Sequence, residues 1–439
     1  MYTHQQLMYQ ILRYANQVGA SESEVSLSDD SGLNVSVRLG EVENIIRSLD
    51  YALSVTVYFG KRSGSASTTD LSEASWRKCV DKACHIAKFT EEDECIGLAD
   101  PEFLAYVYPD LDLYHPWNLS VDDAISLALK GEAAGFAVDK CIKNSEGFTV
   151  ETAHGNSYFA TSNGFFGINS SSHHTLSGVF IARENQEMQQ EHDYSTALLA
   201  SKLDAVELVG ERAAKRALEK LGTKNTIKHR GKVPIIFENR IASSLFAAFI
   251  RAISGGAIYR KASFLLDKVG GQVFPEFMSI CERPHVVGAL GSVPYDAEGV
   301  RVFDKDIIKD GILQTYLLSS YSARKLGLKT TGNAGGISNL YVDYSNFDRD
   351  ALLRQMDTGI LVTEFLGHGT NIVTGHYSQG IAGFWVENGV VQYPISEITI
   401  SSNLADMFKN IVAIGNDIEE RSVIKTGSVL IDGMNVGAS

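Results

Sequence analysis

Cysteine is scarce in this chain and occurs in no paired motif. The 439 residues include 5 cysteines, an odd number, and none of them stands in a Cys-x-x-Cys pair. A disulfide framework and a cysteine-ligated zinc cluster are therefore not expected. Scattered, reduced thiols in a large chain are typical of a cytoplasmic protein, and this is the location that we expect.

Long apolar runs are also missing. The most apolar window, residues 245–259, is interrupted by Arg251 and by a pair of glycines, and it is shorter than the roughly 20 residues that span a bilayer. Residues 1–20 have no continuous apolar stretch and no small-residue cleavage site, and their apolar side chains recur at helical spacing. We expect an N-terminal amphipathic helix instead of a signal peptide, and no membrane segment.

Basic side chains are outnumbered by acidic ones. The chain has 39 Lys and Arg against 53 Asp and Glu, which gives a net charge of −14. Neutralising the phosphates of duplex DNA needs a concentrated basic face, so direct nucleic-acid binding is not expected. The one dense basic run, residues 224–232, lies between two patterned regions, and we interpret it as a solvated linker rather than a binding patch.

Alternating segments and capping signals organise the first part of the chain. Residues 33–39 and 53–59 alternate apolar and polar side chains, which predicts antiparallel hairpins with one solvated face. Residues 29–32 are predicted to form the turn before the first of these strands. Capping signals at residues 70–73 and 120–123 predict the starts of two helices.

Strands and helices continue in separate runs. Residues 142–184 are rich in strand formers, with turns predicted at residues 154–156 and 162–164, and a helix is predicted over residues 200–221. No glycine-rich phosphate fingerprint follows any of these strands. Runs of strands with helices gathered between them indicate an α+β fold rather than a doubly wound parallel sheet.

The pattern restarts after the basic run. Residues 233–237 predict a strand and residues 240–254 a helix. Asx-Gly pairs at residues 310–311 and 388–389 predict tight hairpin turns. The second half is therefore expected to be strand-rich with few helices.

We predict two domains joined by the basic linker. The N-terminal domain, residues 1–222, has antiparallel strands with flanking helices and could divide into two subdomains near residues 115–120. The linker covers residues 223–232, and the C-terminal domain covers residues 233–439.

Two histidines lie in glycine-rich loops. His368 has glycine on both sides, and His376 follows a glycine and precedes Tyr377. Loops with such tight bends often line a site, although stabilising the turn is the commoner reason for them. His173 and His174 are adjacent, so on a strand they would face opposite sides and could not share a metal without a bulge.

Two other segments could carry chemistry. Asn333, Gly335 and Gly336 belong to a run of small residues that could form a backbone amide nest for an anion, or merely end an element. Asp296 and Glu298 could act as paired carboxylates in acid–base chemistry, although carboxylates beside a glycine in a turn are usually just solvated. The residues alone therefore predict a two-domain α+β protein without fixing its activity.

Several specific segments resemble the TldD/PmbA family over nearly the whole chain. The segments that carry the resemblance are residues 64–72, 109–113, 259–267, 322–329, 383–389 and 410–419. The resemblance implies a cytoplasmic zinc metalloprotease, formed by one TldD and one TldE subunit, that cleaves unfolded peptides and matures a peptide antibiotic. An older family name is modulator of DNA gyrase. The family also implies an N-terminal α+β domain and a C-terminal domain that carries the site.

The family's zinc motif is not preserved in this chain. In TldD subunits the resemblance implies a helix with His-Glu-x-x-x-His and a cysteine ligand near the C-terminus. Here Ile250 and Gly255 occupy the histidine positions and Arg251 the glutamate position, while the last cysteine is Cys281. An arginine stays protonated and repels a dication. We therefore expect no catalytic residue, no zinc and no other cofactor in this chain, and zinc in a TldD-type partner.

The resemblance and the lost motif together predict a non-catalytic, TldE-type subunit. It would form part of the groove for an extended peptide, with a strand edge for main-chain pairing, and would shield the partner's zinc. The alternatives are a stand-alone peptide-binding or regulatory homodimer and an independent hydrolase that uses His368, His376 and Glu298. The candidate groove or partner-facing residues are Asn333, Gly335, Gly336, His368, His376 and Tyr377.

Overall fold

The computed structural model describes residues 3–227, 231–367 and 369–438. About 25% of the chain is helix and 40% is strand, with an antiparallel sheet in the N-terminal half and a strand-rich C-terminal half. This confirms the α+β class. Of the basic run that we interpret as a linker, residues 228–230 lie outside the described residues.

The helices and strands follow each other in groups. The helices are α1 His4–Gln17, α2 Glu73–Phe89, α3 Val121–Phe136, α4 Val206–Glu219, α5 Asn239–Ala252, α6 Gly255–Tyr259, α7 Ser320–Leu326, α8 Arg349–Met356 and α9 Leu404–Lys409. The strands of the first half are β1 Glu22–Arg38, β2 Glu41–Phe59, β3 Arg62–Thr68, β4 Ile142–Thr161, β5 Phe166–Glu184 and β6 Glu187–Ala197. Those of the second half are β7 Gly231–Phe237, β8 Ile280–Glu282, β9 Lys305–Lys309, β10 Ile312–Leu313, β11 Leu340–Val342, β12 Gly359–Leu366, β13 His376–Glu387, β14 Val390–Asn403, β15 Ile411–Ile414, β16 Ile424–Lys425 and β17 Val429–Ala438.

Strands β1 to β6 form one antiparallel sheet. Its order is β3-β2-β1-β4-β5-β6, so β6 is an edge strand. The odd-numbered apolar residues of β1, from Val25 to Val37, are buried under helices, with α1 and α2 at one end of the sheet and α3 and α4 at the other. Helices α3 and α4 approach so closely at Gly210 that only a glycine fits there. A Cβ on Gly210 would lie only 2.0 Å from the backbone oxygen of Gly131.

Two turns that the sequence suggests in this sheet are wrong. Residues 29–32 continue strand β1, and residues 154–156 continue strand β4. The two segments pair with each other, and the Asp29 carboxylate accepts hydrogen bonds from the backbone N–H and the side-chain amide of Asn156. Polar residues that suggest a turn locally are thus satisfied by a neighbouring strand, and the chain reverses later, at Leu39 and Gly40, which both have positive φ.

The predicted helix starts are nearly right. Ser120 caps α3, and its hydroxyl accepts a hydrogen bond from the Asp123 N–H at 3.1 Å. Helix α2 begins later than the capping signal suggests, because its N-cap is Ser72 and not Asp70. The Asp70 carboxylate instead accepts hydrogen bonds from Ser72 and Ser75. The N-terminal amphipathic helix is α1.

The second half is built around a closed ring of strands. Its larger sheet has the order β14-β13-β12-β7-β17-β15, and β14 also pairs with β17, which closes five strands into a barrel. A smaller sheet has the order β10-β9-β8-β11-β16. The Asx-Gly turns are confirmed: Asp310 joins β9 to β10 and Asn388 joins β13 to β14, each followed by glycine and each with positive φ.

A seam of charged side chains joins the barrel to the edge strand β6. It consists of Asp193, Arg212, Arg216, Glu238, Arg240 and Arg421. Arg421 Nη1 donates to the backbone oxygen of Tyr194 at 2.6 Å, and Arg240 Nη2 donates to that of His192 at 3.1 Å. Side chains of the second half therefore bind backbone oxygens at the edge of β6 that could otherwise pair with another chain. The domain boundaries given above remain a prediction.

Among the described residues, every helix is too short or too polar to cross a membrane. The five cysteines are all free thiols.

Candidate functional site

Helix α5 places the residues that align with the zinc motif at one end of the barrel. One face of the helix is buried in the barrel core through Ala242, Leu245, Phe246, Ala248, Phe249 and Ala252. Ile250 is half-buried and packs against the same core, whereas Arg251 is exposed. The side chain at the first motif position is therefore apolar, and the next one is a permanent cation.

The helix ends before the last motif position. Helix α5 stops at Ala252, not at Ser254 as the sequence suggests, and Gly255 begins the separate helix α6. Ser254 caps α6 by accepting a hydrogen bond from the Ala257 N–H, and the Gly255 N–H donates to the Leu317 oxygen at 2.7 Å. Residues 250 and 255 therefore do not lie on one continuous helix.

The side chains at these positions do not fit zinc. Zinc sites use imidazole nitrogen, thiolate sulfur or carboxylate oxygen, and Ile250, Arg251 and Gly255 supply none of these. In the part of the chain that the structure describes, no group of three or more His, Cys, Asp or Glu side chains is arranged to hold a metal ion.

Gly255 is needed for the contact between α6 and α7. A Cβ at this position would lie 2.2 Å from Ser322 Oγ and 2.5 Å from Ser322 Cβ. At Gly256 the nearest atom to an added Cβ is the flexible end of Arg260, at 3.4 Å. Of these two glycines, Gly255 is therefore the one whose missing side chain the packing requires.

Replacing Gly255 with alanine is expected to lower the free energy of unfolding by about 1–3 kcal/mol, because the added methyl group overpacks the α6–α7 contact. Urea unfolding measures the change. The control is Gly256→Ala, which should leave the unfolding midpoint nearly unchanged. Equal effects of the two substitutions would contradict the assignment of the close contact to Gly255.

The loop before β13 lies beside the end of α5. Phe264 N–H donates to the Ile372 oxygen at 2.9 Å, and Ser263 Oγ donates to the Ala252 oxygen at 2.6 Å. His376 is exposed at the start of β13, directly after this loop. His368 lies outside the described residues.

Tyr377 does not face a groove. Its side chain is buried in the barrel core, because neighbouring residues of a strand point to opposite faces. Burial also raises the pKa of its phenol. The sequence-based assignment of Tyr377 to a partner-facing loop is therefore corrected.

The run of small residues at 333–336 binds groups of this chain itself. The Ala334 N–H donates to Asp296 Oδ2 at 3.0 Å. Asn333 is buried, and its amide donates to both carboxylate oxygens of Glu282 at 3.1 Å while its oxygen accepts from Lys305 Nζ. Asn333 is thus a buried structural residue and not a groove residue, and an internal carboxylate takes an N–H of the predicted nest. Gly335 and Gly336 remain exposed.

Two carboxylates, one from each half, line a cavity of about 420 Å³. They belong to Glu24 and Asp296, and the charge of Glu298 acts on both. Burial, and then the negative charge of Glu298, raise the pKa of Glu24 to about 7. Burial also raises the pKa of Asp296 to about 7, and Glu298 adds to the shift, against hydrogen bonds from the Val300, Glu298 and Ala334 N–H groups.

The proposed hydrolytic set is not brought together. Glu298 accepts a hydrogen bond from the Ser320 N–H at 2.8 Å, whereas His376 pairs with Asn403 of β14. No hydrogen bond or ion pair within the described residues joins His376 to Glu298. His173 is exposed and His174 is buried, so the adjacent histidines face opposite sides as expected.

Sequence reasoning missed Glu24. It lies among ordinary alternating residues of β1, and no local signal distinguishes it from the polar side chains around it. Its carboxylate becomes unusual only because the segment with Asp296, more than half the chain away, packs against that face of the sheet.

Comparison with known proteins gives consistent matches along the chain. Residues 230–438 match the PmbA/TldA metallopeptidase C-terminal domain, residues 114–221 the central domain and residues 23–87 domain 1 of the same family. The chain is 47% identical over 414 residues to Metalloprotease PmbA of Escherichia coli O157:H7, which covers 94% of this chain and 92% of that protein. It is 45% identical over 426 residues to the Metalloprotease PmbA homolog of Haemophilus influenzae, covering 97% and 94%.

Solved structures agree in fold. A protein from Bacteroides thetaiotaomicron, described as a modulator of DNA gyrase, superposes with a TM-score of 0.94 at 29% identity and covers 100% of both chains. TldE from Thermococcus kodakarensis superposes with a TM-score of 0.86 at 18% identity, covering 98% of this chain and 100% of that one. The second likeness concerns the fold alone.

Proposed function

Because the chain belongs to the PmbA/TldA metallopeptidase family, also known as TldD/PmbA, we propose that it is the non-catalytic, TldE-type subunit of a cytoplasmic zinc metalloprotease. A TldD-type subunit would supply the zinc. The substrates would be unfolded peptides, including precursors of peptide antibiotics. The observation that carries the proposal is the presence of Ile250, Arg251 and Gly255 where the family motif has its ligands and its base.

The proposed role in substrate binding rests on the end of the barrel. The C-terminal end of α5 and the loop before β13 lie side by side there, with Arg251 and His376 exposed. This end would form one wall of the peptide groove, and it would shield the partner's zinc from solvent. An extended peptide would be held mainly by main-chain pairing with a strand edge, which suits substrates of varied sequence.

The test is cleavage of an unfolded peptide by the purified full chain, by a TldD-type partner and by their mixture. Each sample is assayed with and without a zinc chelator, followed by added zinc. We expect chelator-sensitive cleavage in the mixture, little with the partner alone and none with this chain alone. A partner whose motif glutamate is replaced by glutamine serves as control, because it should associate with this chain but not cleave.

Two results would contradict the subunit role. Chelator-sensitive cleavage by this chain alone would mean that it holds a metal through residues outside the family motif. A homodimer that binds peptides and does not associate with the partner would instead support the stand-alone binding role.

A further inference from the structure

A second cavity lies between the edge strand β6 and the barrel strand β12. Its volume is about 540 Å³. Its lining includes His192 and Tyr194 of β6, Arg240 of α5, and Thr363 and Phe365 of β12. The cavity is therefore built by both halves of the chain.

Arg240 has hydrogen-bond donors to spare in this cavity. Its Nη2 contacts the backbone oxygen of His192 at 3.1 Å and the ring Nε2 of the same residue at 3.3 Å. In the part of the chain that the structure describes, its Nε and Nη1 make no hydrogen bond and no carboxylate lies within ion-pair distance. A guanidinium has five N–H donors arranged to bind a carboxylate through two of them.

The neighbouring arginines differ from Arg240 in this respect. Arg212 and Arg421 both pair with Asp193, and Arg216 pairs with Glu238. Burial, and then the positive charge of Arg216, lower the pKa of Arg240. Glu191, Asp193 and Glu238 attract Arg240 from beyond ion-pair distance. Within the described residues Arg240 therefore lacks a direct carboxylate contact, and it lines a cavity.

Thr363 also lines the cavity. Its hydroxyl oxygen is buried away from solvent and makes no hydrogen bond within the described residues. Thr363 stands at a bulge of β12, between Val362 and Glu364 in the pairing with β13. Bulges of this kind often re-aim a side chain next to a functional site.

One side of β12 is open beside this cavity. Strand β7 pairs with β12 over Ile360–Val362, and the strand pairings that the structure describes place no neighbour on that side of residues 364–366. The main-chain groups of those residues can therefore accept an extended segment as an added strand.

The lining indicates which ligand fits. Lys220 already pairs with the carboxylates of Glu191 and Glu364, so the free donors of Arg240 are the groups that can bind a further carboxylate. Tyr194, Ile241 and Phe365 offer apolar surface next to the guanidinium, which suits an aliphatic or aromatic side chain adjacent to the anionic group.

We propose that this cavity binds the carboxylate of an extended peptide through Arg240, with the neighbouring residues of the peptide along the open side of β12. The proposal rests on the proposed function, because it assigns an end-binding site to the substrate-holding subunit. The carboxylate could belong to the peptide's C-terminus or to an Asp or Glu side chain, since both present the same group.

The test measures direct binding to the full chain without any partner. The probes are three fluorescein-labelled, unstructured decapeptides: one with a free C-terminal carboxylate, the same peptide as its amide, and an amide with one internal glutamate. We expect the free acid to bind at least about 10-fold more tightly than the amide, in line with a charge-assisted bidentate contact. Tight binding of the glutamate peptide would support the same site with a side chain as the carboxylate source.

Arg240→Gln should remove the preference for the acid, and Arg240→Lys should retain part of it because the charge remains. The control is Arg13→Gln, which changes the net charge equally at an exposed position of α1 and should bind like the wild type. Circular dichroism checks that each variant is folded. Equal binding of acid and amide by the wild type, or an unchanged preference in Arg240→Gln, would overturn the proposal. Neither result depends on cleavage in the mixture with the partner.

Discussion

Replacing Asp193 with alanine is expected to lower the free energy of unfolding by about 1.5–3 kcal/mol, because Arg212 and Arg421, both half-buried at the seam, lose the buried carboxylate that they share. Arg212 keeps its pair with Asp204, and Arg421 keeps its pair with Glu419. Asp193 is 2% exposed. It accepts hydrogen bonds from Arg212 and from Arg421, the latter at 3.2 Å. Burial alone would raise the pKa of Asp193, but the two arginines outweigh burial and hold it below its ordinary value.

Asp204 provides the matched control. It pairs with the same Arg212, at 2.7 Å, but its side chain is 40% exposed. An exposed ion pair contributes only about 0–1 kcal/mol, so Asp204→Ala should shift the urea midpoint little. Asp193 sits in the strand that faces the barrel, so its loss should also increase hydrogen exchange along β6. Similar midpoints for the two variants would show that the buried pairs of Asp193 contribute no more than the exposed pair of Asp204.

The local features of the fold could be predicted from the sequence, and the long-range ones could not. The Ser120 cap, the amphipathic α1 and the turn at Asn388 depend on residues a few positions apart. The continuation of β1 through Asp29 depends on Asn156 in β4, and the residues next to Asp29 in the sequence do not indicate that pairing. The wrong turn thus came from reading polar residues as solvent-facing when a neighbouring strand satisfies them.

The candidate sites follow the same division. The sequence identifies the lost motif, because the exchanged residues lie close together in one recognisable segment. It does not identify the seam, where Arg421 meets Asp193 across 228 positions of the chain. Nor does it reveal that Arg240 lacks a carboxylate partner while its neighbours have one, since that contrast exists only after the halves are packed.

Glu24→Gln is expected to change how stability depends on pH. The pKa of Glu24 is about 7 in the folded chain, above its ordinary value of 4.5. Between these two values the folded state keeps a proton that the unfolded state has lost. Stability therefore falls as the pH rises from about 4.5 to 7 and then levels off, a loss of up to about 3 kcal/mol. Glutamine cannot ionise, so the variant should be more stable than the wild type at pH 8 and similar to it at pH 4.

The measurement is the free energy of unfolding in urea at several pH values between 4 and 8. Glu41→Gln is the control, because Glu41 is exposed at the β1–β2 turn and should not alter the slope. An identical slope in wild type and Glu24→Gln would mean that Glu24 is solvated and ionised in the folded chain. The predicted slope arises first because folding buries Glu24, and second because folding brings it close to Glu298 of the second half. A flatter pH profile in the variant would therefore report on the contact between the halves as well as on one carboxyl group.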